Sequence, residues 1–256
     1  MNTTSTFNNW VTCPKPNPQA KLRLFCFHYA GGSALSFRAW ADRLPNYIEV
    51  CPVELPGRGI RLLEPPFTQL QPLLEALEKA ILPSLNKPFA FFGHSMGAAL
   101  SFELAQLLAK NHHLSPVQLF VSGRRPPQIP DPDPPLHNLP EATFLKELRR
   151  YNGTPEEVLN NAELMELFLP TLRADFAVLE TYVYSPKPRL NCPISAFGGW
   201  DDWKASASDL QAWEELTNAD FSLEMFPGDH FFIYSSESSL LQSLVGGLGI
   251  GVFSEQ

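Results

Sequence analysis

Short, mainly apolar runs alternate along this chain with longer stretches in which apolar residues recur every three or four positions. The runs at 22–27, 48–53, 89–92, 117–121, 194–197 and 221–226 are too short for helices and predict strands. Most show little polar alternation, which is the pattern of strands buried on both faces of a parallel sheet. Between them, 70–82, 96–110 and 205–216 read as helices; in 96–110, Leu100, Leu104, Leu107 and Leu108 share one stripe. Strands alternating with helices predict an α/β fold, a mostly parallel central sheet with helices on both faces.

The alternation breaks between the runs ending at Val121 and beginning at Ile194, where no strand pattern appears. That stretch opens with Pro126, Pro127, Pro130, Pro132, Pro134 and Pro135, a stiff extended connector. A helical insertion follows: 141–151 carries Phe144, Leu145 and Leu148 on one face, Pro155 suits the first turn of a next helix, and Pro170 divides 162–169 from 171–184. The predicted organisation is a flexible lead-in over 1–20, a core formed by 21–125 with 190–256, and a lid insertion over 126–189.

Composition narrows the class. With 256 residues and 44% hydrophobic content the chain makes one core-sized domain with a small insertion. No apolar run reaches the roughly eighteen residues of a membrane-spanning helix, and the first twenty residues lack the apolar centre of a secretory signal, so a cytoplasmic protein without a membrane partner is expected. With 19 basic against 27 acidic residues, and no dense basic run, nucleic acid is not an expected partner. Cys13, Cys26, Cys51 and Cys192 show no paired spacing, which predicts neither disulfides nor a metal site.

The chemistry concentrates in Gly93-His94-Ser95-Met96-Gly97, a G-x-S-x-G run placed between an apolar strand and a helix that begins at the serine. That setting marks a nucleophile elbow, whose two glycines let strand and helix approach while the serine hydroxyl stands above the sheet. In this architecture an acid and then a histidine follow the serine in chain order. His28 and His94 precede Ser95, His112 and His113 end the elbow helix, and His137 lies among prolines; His230, in the short Pro227-Gly228-Asp229 loop after a strand, is the candidate base. The acid is Asp201 or Asp202, both in the loop after the strand at 194–197, and adjacent side chains on a tight loop point apart. An oxyanion hole needs two backbone N–H groups: Met96, just after the nucleophile, and Ala30, in the Tyr29-Ala30-Gly31-Gly32 loop after the first strand, are the candidates. Of the apolar lid residues Leu164, Phe168, Leu172, Phe176, Leu179 and Tyr182, most are expected to pack against the core and a minority to line an acyl channel over Ser95.

Several motifs together carry a resemblance over nearly the whole chain: Phe27-His28-Tyr29-Ala30-Gly31-Gly32, Ser36-Phe37-Arg38, Glu54-Leu55-Pro56-Gly57-Arg58-Gly59, the elbow, Ser122-Gly123-Arg124-Arg125-Pro126-Pro127, Leu169-Pro170-Thr171-Leu172-Arg173-Ala174-Asp175 and Gly228-Asp229-His230-Phe231. In these the chain resembles the type II thioesterases that accompany nonribosomal peptide and polyketide synthases. The resemblance implies an α/β-hydrolase fold with a helical lid, and hydrolysis of acyl groups from the phosphopantetheine arm of carrier proteins. It implies Ser95, His230 and, as the second acidic residue of its loop, Asp202 as the triad; Trp203 stands where members often have proline. It implies no cofactor, since the pantetheine belongs to the substrate, and carrier-protein domains as partners; the chain itself is expected to be a monomer. Carrier proteins are usually acidic, which makes Arg58, Arg61, Arg124, Arg125, Arg149 and Arg150 candidates for a basic docking rim. A carboxylesterase or lipase, a chain-releasing fatty acyl carrier protein thioesterase, and a catalytically silent carrier-binding scaffold are the alternatives.

Overall fold

The computed structural model describes residues 8–154 and 156–249. Its strands are β1 (Leu22–Phe27), β2 (Ile48–Pro52), β3 (Phe89–His94), β4 (Gln118–Ser122), β5 (Ile194–Gly199) and β6 (Phe221–Phe226). They form one sheet in the order β2-β1-β3-β4-β5-β6, and every neighbouring pair is parallel. The helices are α1 (Trp40–Arg43), α2 (Leu70–Ile81), α3 (Met96–His112), α4 (Glu141–Tyr151), α5 (Glu156–Leu159), α6 (Ala162–Glu180), α7 (Ala207–Gln211), α8 (Phe232–Ser235) and α9 (Glu237–Gly247).

The mainly apolar runs of β1 to β5 are explained by burial on both sides, whereas the edge strand β6 alternates half-buried with exposed residues. Phe25, Phe27 and Phe91 point into a core completed by α2 and α3, including Leu74, Leu77, Leu100 and Leu104. Their neighbours Leu24, Cys26 and Phe92 point the other way, into a core with Trp40, Phe232, Leu240 and Leu244 from α1, α8 and α9. A polar residue at any of these positions would have to be buried without water. After β1 the chain passes outward to β2, then returns to β3 on the other side of β1. That reversal opens a crevice at the carboxyl ends of β1 and β3, the place where α/β sheets bind ligands.

Between β4 and β5 the insertion holds α4, α5 and α6 around its own small core of Leu136, Phe144, Leu148, Leu159, Met165, Leu172 and Phe176. Pro170 does not divide the last helix as predicted: α6 runs continuously from Ala162 to Glu180 with the proline inside it. An internal proline costs about 3 kcal/mol, and the turn beyond it is held by contacts that the local sequence does not reveal. Thr171 donates its hydroxyl to the Gly57 carbonyl at 2.9 Å, Asp175 pairs with Arg58, and Met165, Leu172 and Phe176 are buried in the lid core. The predicted helix over 205–216 is also shorter in its α form. Ser206 and Asp209 make a capping box at its start, and residues 212–216 tighten into a 3-10 turn.

The predicted lead-in also differs from expectation. Over residues 8–20 it lies against the sheet edge: Val11 is buried and bridges Val53 in antiparallel register, Thr12 N–H donates to Pro52 O at 3.0 Å, and Ala20 is buried. Covering β2 in this way removes an open strand edge. Pro155, residues 1–7 and residues 250–256 lie outside the described residues.

Candidate active site

Ser95 sits between β3 and α3 with φ 54 and ψ −110, a backbone conformation unfavourable for any residue with a Cβ. Two glycines make this turn possible. A Cβ on Gly93 would lie 2.1 Å from the Gly97 carbonyl oxygen, and one on Gly97 would lie 2.0 Å from the Phe27 carbonyl oxygen, so strand, helix and β1 are packed backbone to backbone. Ser95 N–H donates to Ser122 O at 2.8 Å, which ties the elbow to β4.

The loops after β5 and β6 bring the other groups to this point. His230 is buried beside the elbow, with Nε2 3.0 Å from Ser95 Oγ and Nδ1 2.8 Å from Asp202 Oδ2. A carboxylate only accepts, so Nδ1 carries the proton toward Asp202 and Nε2 offers its lone pair to the serine hydroxyl. The second oxygen of Asp202 accepts from Lys204 N–H at 2.9 Å, closing the loop around the buried carboxylate. Asp201 is exposed and uses its backbone N–H on Gly228 O, so the structure brings together Ser95, His230 and Asp202 and leaves Asp201 outside. Trp203 packs on Tyr151 of α4 at 5.4 Å, and Tyr151 stands 6.0 Å from the His230 ring, which walls one side of the imidazole. His94 walls another at 5.2 Å; burial and the neighbouring imidazole hold its pKa well below the usual value, so it is neutral.

Met96 is the first residue of α3, where a backbone N–H has no intrahelical acceptor. Ala30 lies across the crevice in the loop after β1, and that loop is pinned from the lid. Asp175 of α6 accepts from Gly31 N–H at 2.7 Å and from both terminal nitrogens of Arg58 at 2.7 Å. The pair is buried on both sides. No role for Asp175 is readable from local residue chemistry, because its partners Gly31 and Arg58 lie far away along the chain. Asp175→Ala is expected to destabilise the protein by about 3–5 kcal/mol, since the Arg58 charge would stay buried with only the Pro56 and Gly32 carbonyls and no counter-charge. Chemical denaturation measures this.

The predicted basic rim changes accordingly. Arg58 is committed to Asp175, and Arg61 is buried over Trp10 with bonds to Glu64 and the Glu54 carbonyl, so neither faces solvent. Arg125 bonds Lys204 O at 2.8 Å. Arg124 lines a cavity above the sheet, and burial lowers its pKa from the usual arginine value. Arg149 and Arg150 remain on the exposed face of α4, each paired with a glutamate, and Arg150 lies over the Trp203 ring at 4.7 Å.

That cavity, about 800 Å³, lies between lid and sheet with Ser95 and His230 in its wall. Phe168, Leu172, Phe176, Leu179 and Tyr182 all line it, more of the lid surface than the expected minority, while Leu164 does not. The arrangement can activate a serine hydroxyl beside a partly open, mainly apolar cavity.

The thioesterase domain family matches residues 22–245 of the chain. Linear gramicidin dehydrogenase LgrE of Brevibacillus parabrevis is 46% identical over 255 residues, covering 95% of this chain and 97% of that protein. The gramicidin S biosynthesis protein GrsT of Aneurinibacillus migulanus is 48% identical over 238 residues, 93% of each. Among solved structures, the type II thioesterase BorB from the borrelidin biosynthetic cluster superposes with a TM-score of 0.87 at 34% identity, covering 95% of this chain and 99% of that one. One of these names speaks of a dehydrogenase; this sequence carries the serine elbow after its strand and no G-x-G-x-x-G dinucleotide fingerprint.

Proposed function

The chain belongs to the thioesterase domain family, and from that premise we propose that it is a serine thioesterase removing aberrant or stalled acyl groups from the phosphopantetheine arm of carrier proteins in nonribosomal peptide and polyketide synthesis. The observation that carries this reading is the buried chain Ser95–His230–Asp202 opening into the lid-covered cavity. The likeness to GrsT and BorB, named for gramicidin S biosynthesis and the borrelidin cluster, supports the synthase setting.

In the proposed mechanism the thioester carbonyl lies over Ser95 with its oxygen toward the Met96 and Ala30 N–H groups. His230 Nε2 takes the hydroxyl proton as Oγ attacks, and Asp202 holds the ring in the required tautomer and stabilises its positive form. The tetrahedral intermediate collapses, the C–S bond breaks, and the pantetheine sulfur leaves with the proton from His230. The same imidazole then draws a proton from water, which attacks the acyl-serine and regenerates the hydroxyl. Every group in this cycle belongs to the chain or to its substrate, so the reading calls for no cofactor. Arg149 and Arg150, both exposed on α4 with Arg150 over the Trp203 ring, are the remaining arginines of the rim that offer charge to an acidic carrier domain.

Triad chemistry alone does not distinguish a thiol from an alcohol leaving group. Turnover of butyryl groups presented on a phosphopantetheinylated carrier protein, beside the matched oxygen ester, tests the proposal. Faster cleavage on the carrier is the expected result; activity confined to the free ester would replace this reading with a carboxylesterase.

A further inference from the structure

The register of the residues covering β2 places two cysteines opposite each other. Glu54 N–H donates to Trp10 O at 2.9 Å and Thr12 N–H to Pro52 O at 3.0 Å, on either side of the antiparallel bridge between Val11 and Val53. Those two contacts make Trp10 with Glu54, and Thr12 with Pro52, the hydrogen-bonded positions, and Val11 with Val53 a non-hydrogen-bonded one. The next non-hydrogen-bonded position along the same register pairs Cys13 with Cys51. At such sites opposed Cα atoms approach to about 4.5 Å, inside the range of about 4.4–6.8 Å that disulfides span. The side chains converge as the register requires: both sulfurs and a Glu49 carboxylate oxygen lie within 4.8 Å of one another.

The third member of this cluster is already engaged. Glu49 accepts from Arg23 Nε at 2.6 Å with one oxygen and from Asn17 N–H at 2.8 Å with the other. Its carboxylate is therefore bonded to a guanidinium and a backbone amide, an arrangement that disfavours a cation and leaves the two sulfurs as the reactive pair. Their accessibilities differ: Cys51 is fully buried on β2 and Cys13 is half-buried.

We propose that Cys13 and Cys51 are a redox-active pair that closes to an intrachain disulfide when a low-molecular-weight disulfide reaches Cys13. The Cys13 thiolate attacks one sulfur of the oxidant, its S–S bond breaks, and one equivalent of small thiol departs. Cys51, whose thiol is kept protonated at rest by burial, gives up its proton as it attacks the Cys13 sulfur of the mixed disulfide and expels the second small thiol, which takes a proton up. Two protein thiols and one small disulfide thus become one protein disulfide and two small thiols, with protein sulfur oxidised and the reagent reduced. The new bond locks residues 8–20 over the sheet edge. It also steadies what those residues support: Trp10 lies under Arg61 at 3.8 Å and beside Phe67 at 6.2 Å, in the segment that presents Arg58 to Asp175 of the lid.

The test uses the full chain, reduced and then incubated with oxidised glutathione under native conditions, with free thiols alkylated before digestion and mass spectrometry. The expected product is a linked Cys13–Cys51 peptide pair, lighter by two hydrogens and free of glutathione. Cys51→Ser, folded by circular dichroism, is expected to retain glutathione on Cys13. The oxidised wild type is expected to melt about 5–10 °C above its reduced form, with no such rise in oxidised Cys51→Ser. Glutathione retained on Cys13 of the wild type, absence of reaction, or a linkage formed only after unfolding would overturn the proposal; an unchanged melting temperature would overturn the locking.

Discussion

Ser95→Ala is expected to lower kcat on a carrier-bound acyl thioester by at least about 10⁴-fold, because the covalent route disappears and only substrate binding and the oxyanion donors remain. The protein itself is expected to stay intact. Alanine keeps the Cβ, so the positive φ of 54 costs the same as before, and Gly93 and Gly97 still supply the close packing of the elbow. Stability within about 0.5 kcal/mol of the wild type is therefore expected in chemical denaturation. The two measurements separate chemistry from folding. Retention of activity within a hundredth of wild type in a folded Ser95→Ala protein would mean that His230 activates water directly, and the acyl-serine intermediate would have to be abandoned. Mass spectrometry of a rapidly quenched reaction supplies the positive counterpart, an acyl adduct on Ser95 in the wild type.

Five of the six strands were legible in the sequence because they are buried on both faces, and the edge strand β6 because its half-buried and exposed residues alternate. Positions such as Phe91 and Phe92 must both be apolar although they point to opposite cores, and that produces continuous runs that helices rarely show. The elbow was legible because the backbone contacts around Gly93 and Gly97 forbid a Cβ, so the constraint is written at fixed spacing beside the serine. What escaped depends on residues far apart. Pro170 reads locally as a helix break, and the bonds of Thr171 and Asp175 to Gly57, Arg58 and Gly31 override it. Arg58 and Arg61 read as surface charges, yet both are buried, Arg58 on the buried Asp175 and Arg61 on Glu64. Cys13 and Cys51 show no motif spacing, since only the antiparallel register brings them together. The acid was open between two adjacent aspartates on residue chemistry alone, and the loop's own hydrogen bonds separate them.

Those bonds make a sharp prediction for Asp202→Asn, a fall in kcat of about 10⁴-fold, with Asp201→Asn near wild type. In the protein, Asp202 Oδ1 accepts from Lys204 N–H at 2.9 Å while Oδ2 accepts from His230 Nδ1 at 2.8 Å. An asparagine side chain has one acceptor for these two donors. If its oxygen stays on the Lys204 amide, its NH₂ faces Nδ1, which must then accept; the imidazole proton moves to Nε2 and points at Ser95, where a lone pair is needed. If the amide flips to preserve the imidazole tautomer, NH₂ is set against the Lys204 N–H and two buried donors oppose each other, at a cost of about 1–3 kcal/mol for the unsatisfied amide. The first arrangement is the cheaper, and it disables the base. Asp201 makes no contact with the imidazole, its side chain is exposed, and its backbone bond to Gly228 survives the substitution. Steady-state kinetics on carrier-bound butyryl, run on both variants with denaturation curves beside them, distinguishes the two carboxylates. Equal losses in the two would show that the loop responds as a unit and that Asp202 does not orient His230.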